Sequence, residues 1–141
     1  MLIKQLSIFL ENKKGRFTEV TRILGDAGIN MSAFTVSENS DFGILRLIVS
    51  DPQKAKEILR EKQYAVTTTD VVCVCTPNKA GSLSPVMELI TEAGIYVEYM
   101  YAFSFGDGAR IIIRPDDVEK TLQVLADNKI NLLAASDLFA V

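Results

Sequence analysis

The sequence matches itself at an offset of 66 residues, and that repeat limits the fold more than any other feature. Asn12-Lys13 aligns with Asn78-Lys79, Gly15 with Gly81, and Ala27-Gly28-Ile29 with Ala93-Gly94-Ile95. Asp51, Lys54 and Leu59 then align with Asp117, Lys120 and Leu125. Identities in one order at one offset mark a duplicated structural unit. The expected domains are therefore residues 1–69 and residues 70–141. A unit of about 70 residues buries only about 60% of its unfolded surface, so two such units gain by packing together, and a side-by-side arrangement is expected.

Each copy reads as the same series of elements. Leu2 to Leu10 is an apolar, β-prone run, followed by a polar turn from Glu11 to Gly15. Phe17, Val20, Leu24 and Ala27, with Ile23 beside them, form the apolar stripe of an amphipathic helix. The second copy repeats the stripe as Leu83, Val86, Ile90 and Ala93. Gly28 and Gly94 stand where left-handed helix C-caps belong. Strands are expected over Ile29 to Ser37 and Ile95 to Phe105, with turns at Glu38 to Gly43 and Gly106 to Gly108. Further strands follow at Ile44 to Val49 and Ile111 to Ile113. Asp51-Pro52 starts the next helix with Pro in its first turn. Asp116 with Glu119 three residues on is expected to cap the corresponding helix of copy two. The last strands fall at Tyr64 to Thr69 and Ile130 to Phe139, with only Thr68 to Asp70 between the copies and no flexible linker. The order βαββαβ, twice, is the split βαβ of two ferredoxin-like α+β domains: antiparallel sheets with helices on one face.

Composition narrows the function. A net charge of −3 and no basic run longer than Lys13-Lys14 argue against nucleic acid or a membrane surface as partner. The opening residues lack a basic region and long apolar stretch, and no apolar run is long enough to span a bilayer. Cys73 and Cys75 lie two apart on a strand, where they share a face without bonding. A reducing cytoplasm is the expected location. The chain has no histidine, so His-based triads and most Zn or Cu sites are excluded. No P-loop, no Gly-x-Gly-x-x-Gly and no C-x-x-C is present, and the third strands lack the aromatic residues of an RNA-recognition module. The acidic pair Asp116-Asp117 belongs to a helix start. No cofactor, no metal and no catalytic constellation is expected.

What remains is the turn into the first helix: Glu11-Asn12-Lys13-Lys14-Gly15-Arg16-Phe17, and Pro77-Asn78-Lys79-Ala80-Gly81-Ser82-Leu83. Together with Leu24 to Met31 and Ile90 to Val97, these turns resemble the ACT family. Its pattern is a polar Asn or Asp, then Pro-Gly-x-Leu, a helix, and Gly-Ile-Asn-Ile. Lys14 and Ala80 replace the Pro, Phe17 replaces Leu, and Tyr96 replaces Asn, which separates the two copies in how they would use a ligand. The resemblance implies an amino acid or related small effector bound where two domains meet. It carries the candidate site to Asn12, Lys13, Lys14, Gly15, Arg16 and Phe17 in copy one, and to Asn78, Ala80, Gly81, Ser82 and Leu83 in copy two. Ile29, Asn30, Met31 and Ser32, and Ile95, Tyr96, Val97 and Glu98, would add contacts across the interface.

The chemistry of the turn suits that role. A glycine before a helix lets the backbone approach a ligand, the helix start favours a carboxylate, and an Asn amide oxygen can accept from an ammonium group. Each residue also has a plainer use: Gly15 and Gly81 in permitting a tight βα turn, Asn12 and Asn78 as local turn formers, Ile29, Met31, Ile95 and Val97 as core, Arg16 as a solvated charge.

Tyr99, Tyr101, Phe103 and Phe105 alternate, so a regular strand puts them on one face, either the helix-side core or a second face open to a partner. The expectation is a free-standing, non-catalytic sensor acting on an amino-acid metabolic enzyme, with a homodimer among its assemblies. The second reading is a ligand-free interaction module or regulatory subunit. A third, an acylphosphatase-like hydrolase, needs an Arg-bearing phosphate loop, and only copy one offers one, at Arg16.

Overall fold

A computed structural model describes residues 2–38 and 41–139. The chain divides into two compact units, Lys4–Thr69 and Asp70–Val141 with Met1–Ile3. Elements run β1 (Ile3–Glu11), α1 (Arg16–Asp26), β2 (Met31–Glu38), β3 (Phe42–Val49), α2 (Pro52–Glu61) and β4 (Ala65–Pro77). They continue as α3 (Ser84–Glu92), β5 (Val97–Phe105), β6 (Gly108–Pro115), α4 (Val118–Asp127), β7 (Leu132–Leu133) and α5 (Ala135–Phe139).

In the first unit the strand order is β2-β3-β1-β4, with β1 and β2 each antiparallel to β3. Leu6, Ile8 and Leu10 of β1 and Leu45, Leu47 and Val49 of β3 point the same way, as alternation requires. They bury against Val20 and Leu24 of α1 and Ala55 and Leu59 of α2, so both helices cover one face. The second unit repeats this as β5-β6-β4-β7. Val72, Val74, Ile111 and Ile113 there meet Val86, Ile90 and Leu125. The ferredoxin-like plan is present in each unit.

The helix ends follow from the residues marked in the sequence. Gly28, at φ 71°, lets its own N–H reach the Gly25 carbonyl (3.0 Å) and the Ile29 N–H reach that of Leu24 (2.9 Å). Gly94 does the same with Thr91 (3.0 Å) and Ile90 (3.1 Å), so both helices close in a Schellman motif. Asp51 accepts from the Lys54 N–H (3.1 Å), with Pro52 in the first turn behind it.

Four expectations need correction. The cap of α4 is Asp117, which accepts from the Lys120 N–H (3.0 Å), not Asp116. Asp116 instead accepts from the Tyr96 N–H (3.1 Å), tying β5 to the start of α4. Thr68 to Asp70 is no gap: β4 runs unbroken through it, because Val66 to Pro77 offers no Gly and no turn signal. Strands β2 and β5 begin at Met31 and Val97, two residues later than expected, because the preceding pairs complete the helix caps. The terminal strand is only Leu132–Leu133. Ala134-Ala135-Ser136-Asp137 then starts α5, with the Asp137 carboxylate accepting from the Ala134 N–H (2.8 Å), half of a capping box. Of the turn expected from Glu38 to Gly43, Asn39 and Ser40 lie outside the described residues.

The aromatic strand is settled by register. Tyr99, Tyr101 and Phe103 stand opposite Arg114, Ile112 and Arg110, whereas Met100 and Ala102 stand opposite Ile113 and Ile111 of the core. The rings therefore occupy the face away from α3 and α4. Arg110 stacks on Phe105, 3.9 Å from the ring centre, and donates to the Asp137 carbonyl of α5 (3.1 Å). Among the described residues no helix is long and apolar enough to cross a membrane.

Candidate functional site

The β1–α1 turn is built around Gly15, whose φ of 86° no L side chain adopts without strain, although a Cβ there would meet nothing within 4 Å. Gly81 is its match in copy two, at φ 84° and equally open. Glycine is thus required by the backbone and not by crowding. The first turn of α1 has no side-chain cap, and Gly15 contributes only its carbonyl, accepting from the Glu19 N–H (2.9 Å).

Side chains of this turn diverge to two flanks of α1. On the β4 side, the Glu11 carboxylate holds Lys13 at 2.8 Å and Arg16 at 3.6 Å, and Arg16 reaches Glu19 at 3.7 Å. The hydrogen bond from Lys13, then the Lys13 and Arg16 charges, hold the Glu11 carboxyl below the usual range. A polar cavity of about 370 Å³ opens here between Glu11, Arg16, Lys62 and Gln63. Tyr64 lines the same cavity, its hydroxyl buried with no partner at hydrogen-bond distance among the described residues. Burial, then the Glu19 carboxylate, push its ionisation upward.

On the β2 side the character reverses. Asn12 Oδ1, the Ser37 carbonyl oxygen and the tip of the Phe17 ring converge on Gly43. They lie 3.8, 3.7 and 3.9 Å from the point where a Cβ would stand. Gly43 pairs with Leu10, so this point lies on the helix side of the sheet. From Phe17 an apolar groove of about 240 Å³ runs along the edge strand, past Thr21, Met31, Phe34 and Val36 to Leu45 and Leu47. The Thr21 hydroxyl donates to the Thr18 carbonyl (2.9 Å), which satisfies its hydrogen.

The expected site residues are therefore only partly gathered. Asn12, Phe17 and Met31 lie along the apolar flank, Arg16 on the polar one, and Lys13 is occupied by Glu11. Lys14 is exposed and Ser32 half-buried. Ile29 and Ile95 are core residues, as their plainer reading had it. Asn30 exchanges backbone hydrogen bonds with Ser50, whose hydroxyl accepts from the Asn30 N–H (2.9 Å) while Ser50 N–H donates to the Asn30 carbonyl (2.9 Å). Tyr96 makes the same pair with Asp116, and its ring is exposed.

In copy two Asn78 donates its N–H to the Asp107 carbonyl (3.3 Å) and Ser82 to that of Lys79 (3.2 Å). Ala80 is exposed, while Leu83 and Val97 pack on the second core. Glu98 is held by Arg114 at 3.1 Å. Gly43, Ser37, Thr21, Phe34 and Val36 were not among the expected residues. The signal was in the repeat: Gly43 aligns with Ala109 and Thr21 with Met87. Among the described residues no cluster of three or more His, Cys, Asp or Glu could hold a metal.

A family model described as an ACT domain pair matches residues 1–141. A crystal structure of a Bacteroides thetaiotaomicron protein is 50% identical, covers 100% of this chain and 98% of its own, and superposes with a TM-score of 0.95. The ligand-free regulatory subunit of aspartate kinase from Thermus thermophilus is 14% identical, with a TM-score of 0.62 over 89% of this chain and 93% of that one. E. coli aspartokinase III, in complex with lysine and aspartate, is 16% identical, with a TM-score of 0.54 over 90% of this chain and 31% of that one. The last two likenesses concern the fold alone. The comparison with curated proteins finds no match.

Proposed function

The chain belongs to the ACT family as a pair of such domains, and on that premise we propose that it is a non-catalytic sensor of an amino acid or related small effector. We assign the two domains to residues 1–69 and 70–141 and the principal site to the β1–α1 turn of the first. The observation that carries this is the meeting of Asn12 Oδ1 and the Ser37 carbonyl beside Gly43, next to the start of α1. Two acceptor oxygens suit an ammonium group, and the positive end of a helix suits a carboxylate a few ångströms away. Backbone approach at Gly15 costs nothing sterically. A second ACT unit would complete the site, as the family resemblance implies.

Binding would favour one conformation over others by its difference in affinity, and a protein partner such as an amino-acid metabolic enzyme would read that shift. Two free thiols suit a reducing cytoplasm. The arrangement at Arg16 does not favour a hydrolase: the guanidinium is engaged by Glu11 and Glu19, which would repel an acyl phosphate.

One observation favours interaction with a protein as well. The edge strand β5 carries Met100 and Phe105 exposed, with Tyr96 just before it, an apolar border of the kind that pairs with another chain.

The test is a thermal-shift panel of the twenty amino acids, with calorimetry on the best responders. A ligand at a hundred times its dissociation constant adds about 2.7 kcal/mol. A selective rise lost in Asn12→Ala supports the sensor. A flat panel contradicts it and leaves the interaction module.

A further inference from the structure

We propose that the ligand is an amino acid with an apolar side chain and that only the first copy takes it, in the groove along Phe17, Met31, Phe34 and Val36. This deepens the sensor reading and rests on it. The groove has the right neighbours. Its upper end is the Asn12–Ser37–Gly43 meeting point, through Phe17, which belongs to both. A ligand whose ammonium group sits at those oxygens would lay its side chain along the groove. The walls there are aliphatic and aromatic, and the lone hydroxyl, on Thr21, is turned to its own helix. A charged side chain would find no partner among the described residues that line this groove and would lose its water. A volume of about 240 Å³ lies below the usual range for drug-sized ligands and suits one side chain.

Phe34 and Phe17 are 62% and 45% exposed. With Val36, 47% exposed, they line one contiguous apolar surface of the kind that marks a binding site.

The second copy supplies the control within the same molecule. Ala109 stands at the position of Gly43 and packs on the second core, so its methyl occupies the point that is open in copy one. Met87 stands at the position of Thr21, and with Leu83 and Val97 it packs on that core. Gly43 does not owe its identity to the backbone: its φ is not in the left-handed range, and a Cβ there would make only ordinary contacts. The glycine keeps a space open. The threonine does likewise.

Two substitutions that make copy one resemble copy two test this, Gly43→Ala and Thr21→Met. Neither demands a strained backbone, and the unliganded melting temperature of each checks that the fold survives. Leucine, isoleucine, valine, methionine and phenylalanine are titrated against serine, aspartate and lysine by calorimetry. The mass of each variant is followed by light scattering at matched concentration. The expected result is binding of the apolar set and a loss of roughly tenfold to hundredfold in both variants, the effect of one misfitting methylene in an apolar pocket. Three results overturn the inference while leaving a sensor in place: tighter binding of a polar or charged amino acid, apolar binding that neither variant weakens, or variants that split a dimer without touching affinity. The last would make the groove a contact between chains. No binding by any amino acid to the unmodified chain would instead remove the sensor reading on which this rests.

Discussion

The two copies share their backbone devices and differ in what those devices enclose. Gly15 and Gly81, Gly28 and Gly94, Asp51 and Asp117 play matching parts at φ angles and hydrogen-bond lengths that nearly coincide. Even the hidden pairings correspond: Ser50 ties Asn30 in one copy as Asp116 ties Tyr96 in the other. The surfaces have diverged. Copy one has an open apolar groove on the helix side and the polar pair Gln5–Ser7 buried on the other face, at 3.4 Å. Copy two has Met87 and Ala109 packed on its helix-side core, and aromatic rings on its other face. After a duplication, residues that set dihedral angles are hard to replace, because left-handed backbone and helix ends tolerate few side chains. Residues that fill or vacate space are free to separate.

The equivalence of the two scaffolds is tested most severely at their cores. Leu24→Ala and Ile90→Ala each remove a fully buried side chain at the same place in the repeat. Each should cost about 2–5 kcal/mol in denaturant unfolding, and a large inequality would show that the scaffolds are not equivalent. The caps give a smaller effect. Asp51→Ala and Asp117→Ala should each lower stability by about 0.5–2 kcal/mol, measured the same way, whereas Asp116→Ala should act on the β5–α4 junction without fraying α4 in hydrogen exchange.

Smaller still is the effect at Gln63 (φ 68°) and Lys129 (φ 57°), non-glycine residues with left-handed backbone that close α2 and α4. Gly at either position should raise stability by up to about 1 kcal/mol, since the strain of αL exceeds the entropy lost. Cys73 sharpens the contrast of the second faces, because Ser7 is its counterpart. Burial pushes the Cys73 thiol up to about 12, so at pH 8 the thiolate is scarce. Cys73 should resist alkylation in the native protein and react on unfolding, as peptide mapping would show.

Much of the scaffold was legible in the sequence because it rests on local rules. The 66-residue offset, the stripes of α1 and α3 and the Gly C-caps follow from periodicity and backbone angles alone. Errors arose where two local rules competed. Asp116 and Asp117 are both good caps, and only the repeat, which pairs Asp51 with Asp117, decides between them. Leu132 onward is apolar enough for a strand, yet Ala-Ala-Ser-Asp is a helix start, and the helix won. The face taken by Tyr99 to Phe103 needed register, which a bulge between Val97 and Tyr99 alters. The groove was least legible. Gly43 matters because β1, β3 and α1 bring Leu10, Asn12 and Phe17 to its side, and no local pattern encodes that meeting.

One scaffold, present twice, keeps its ligand groove open once. Calorimetric titration of the full chain with its best apolar amino acid, beside the Gly43→Ala variant, tests it most directly. One ligand per chain, lost in the variant, is the expected result. Two ligands per chain, or one that binds Gly43→Ala equally well, would contradict it.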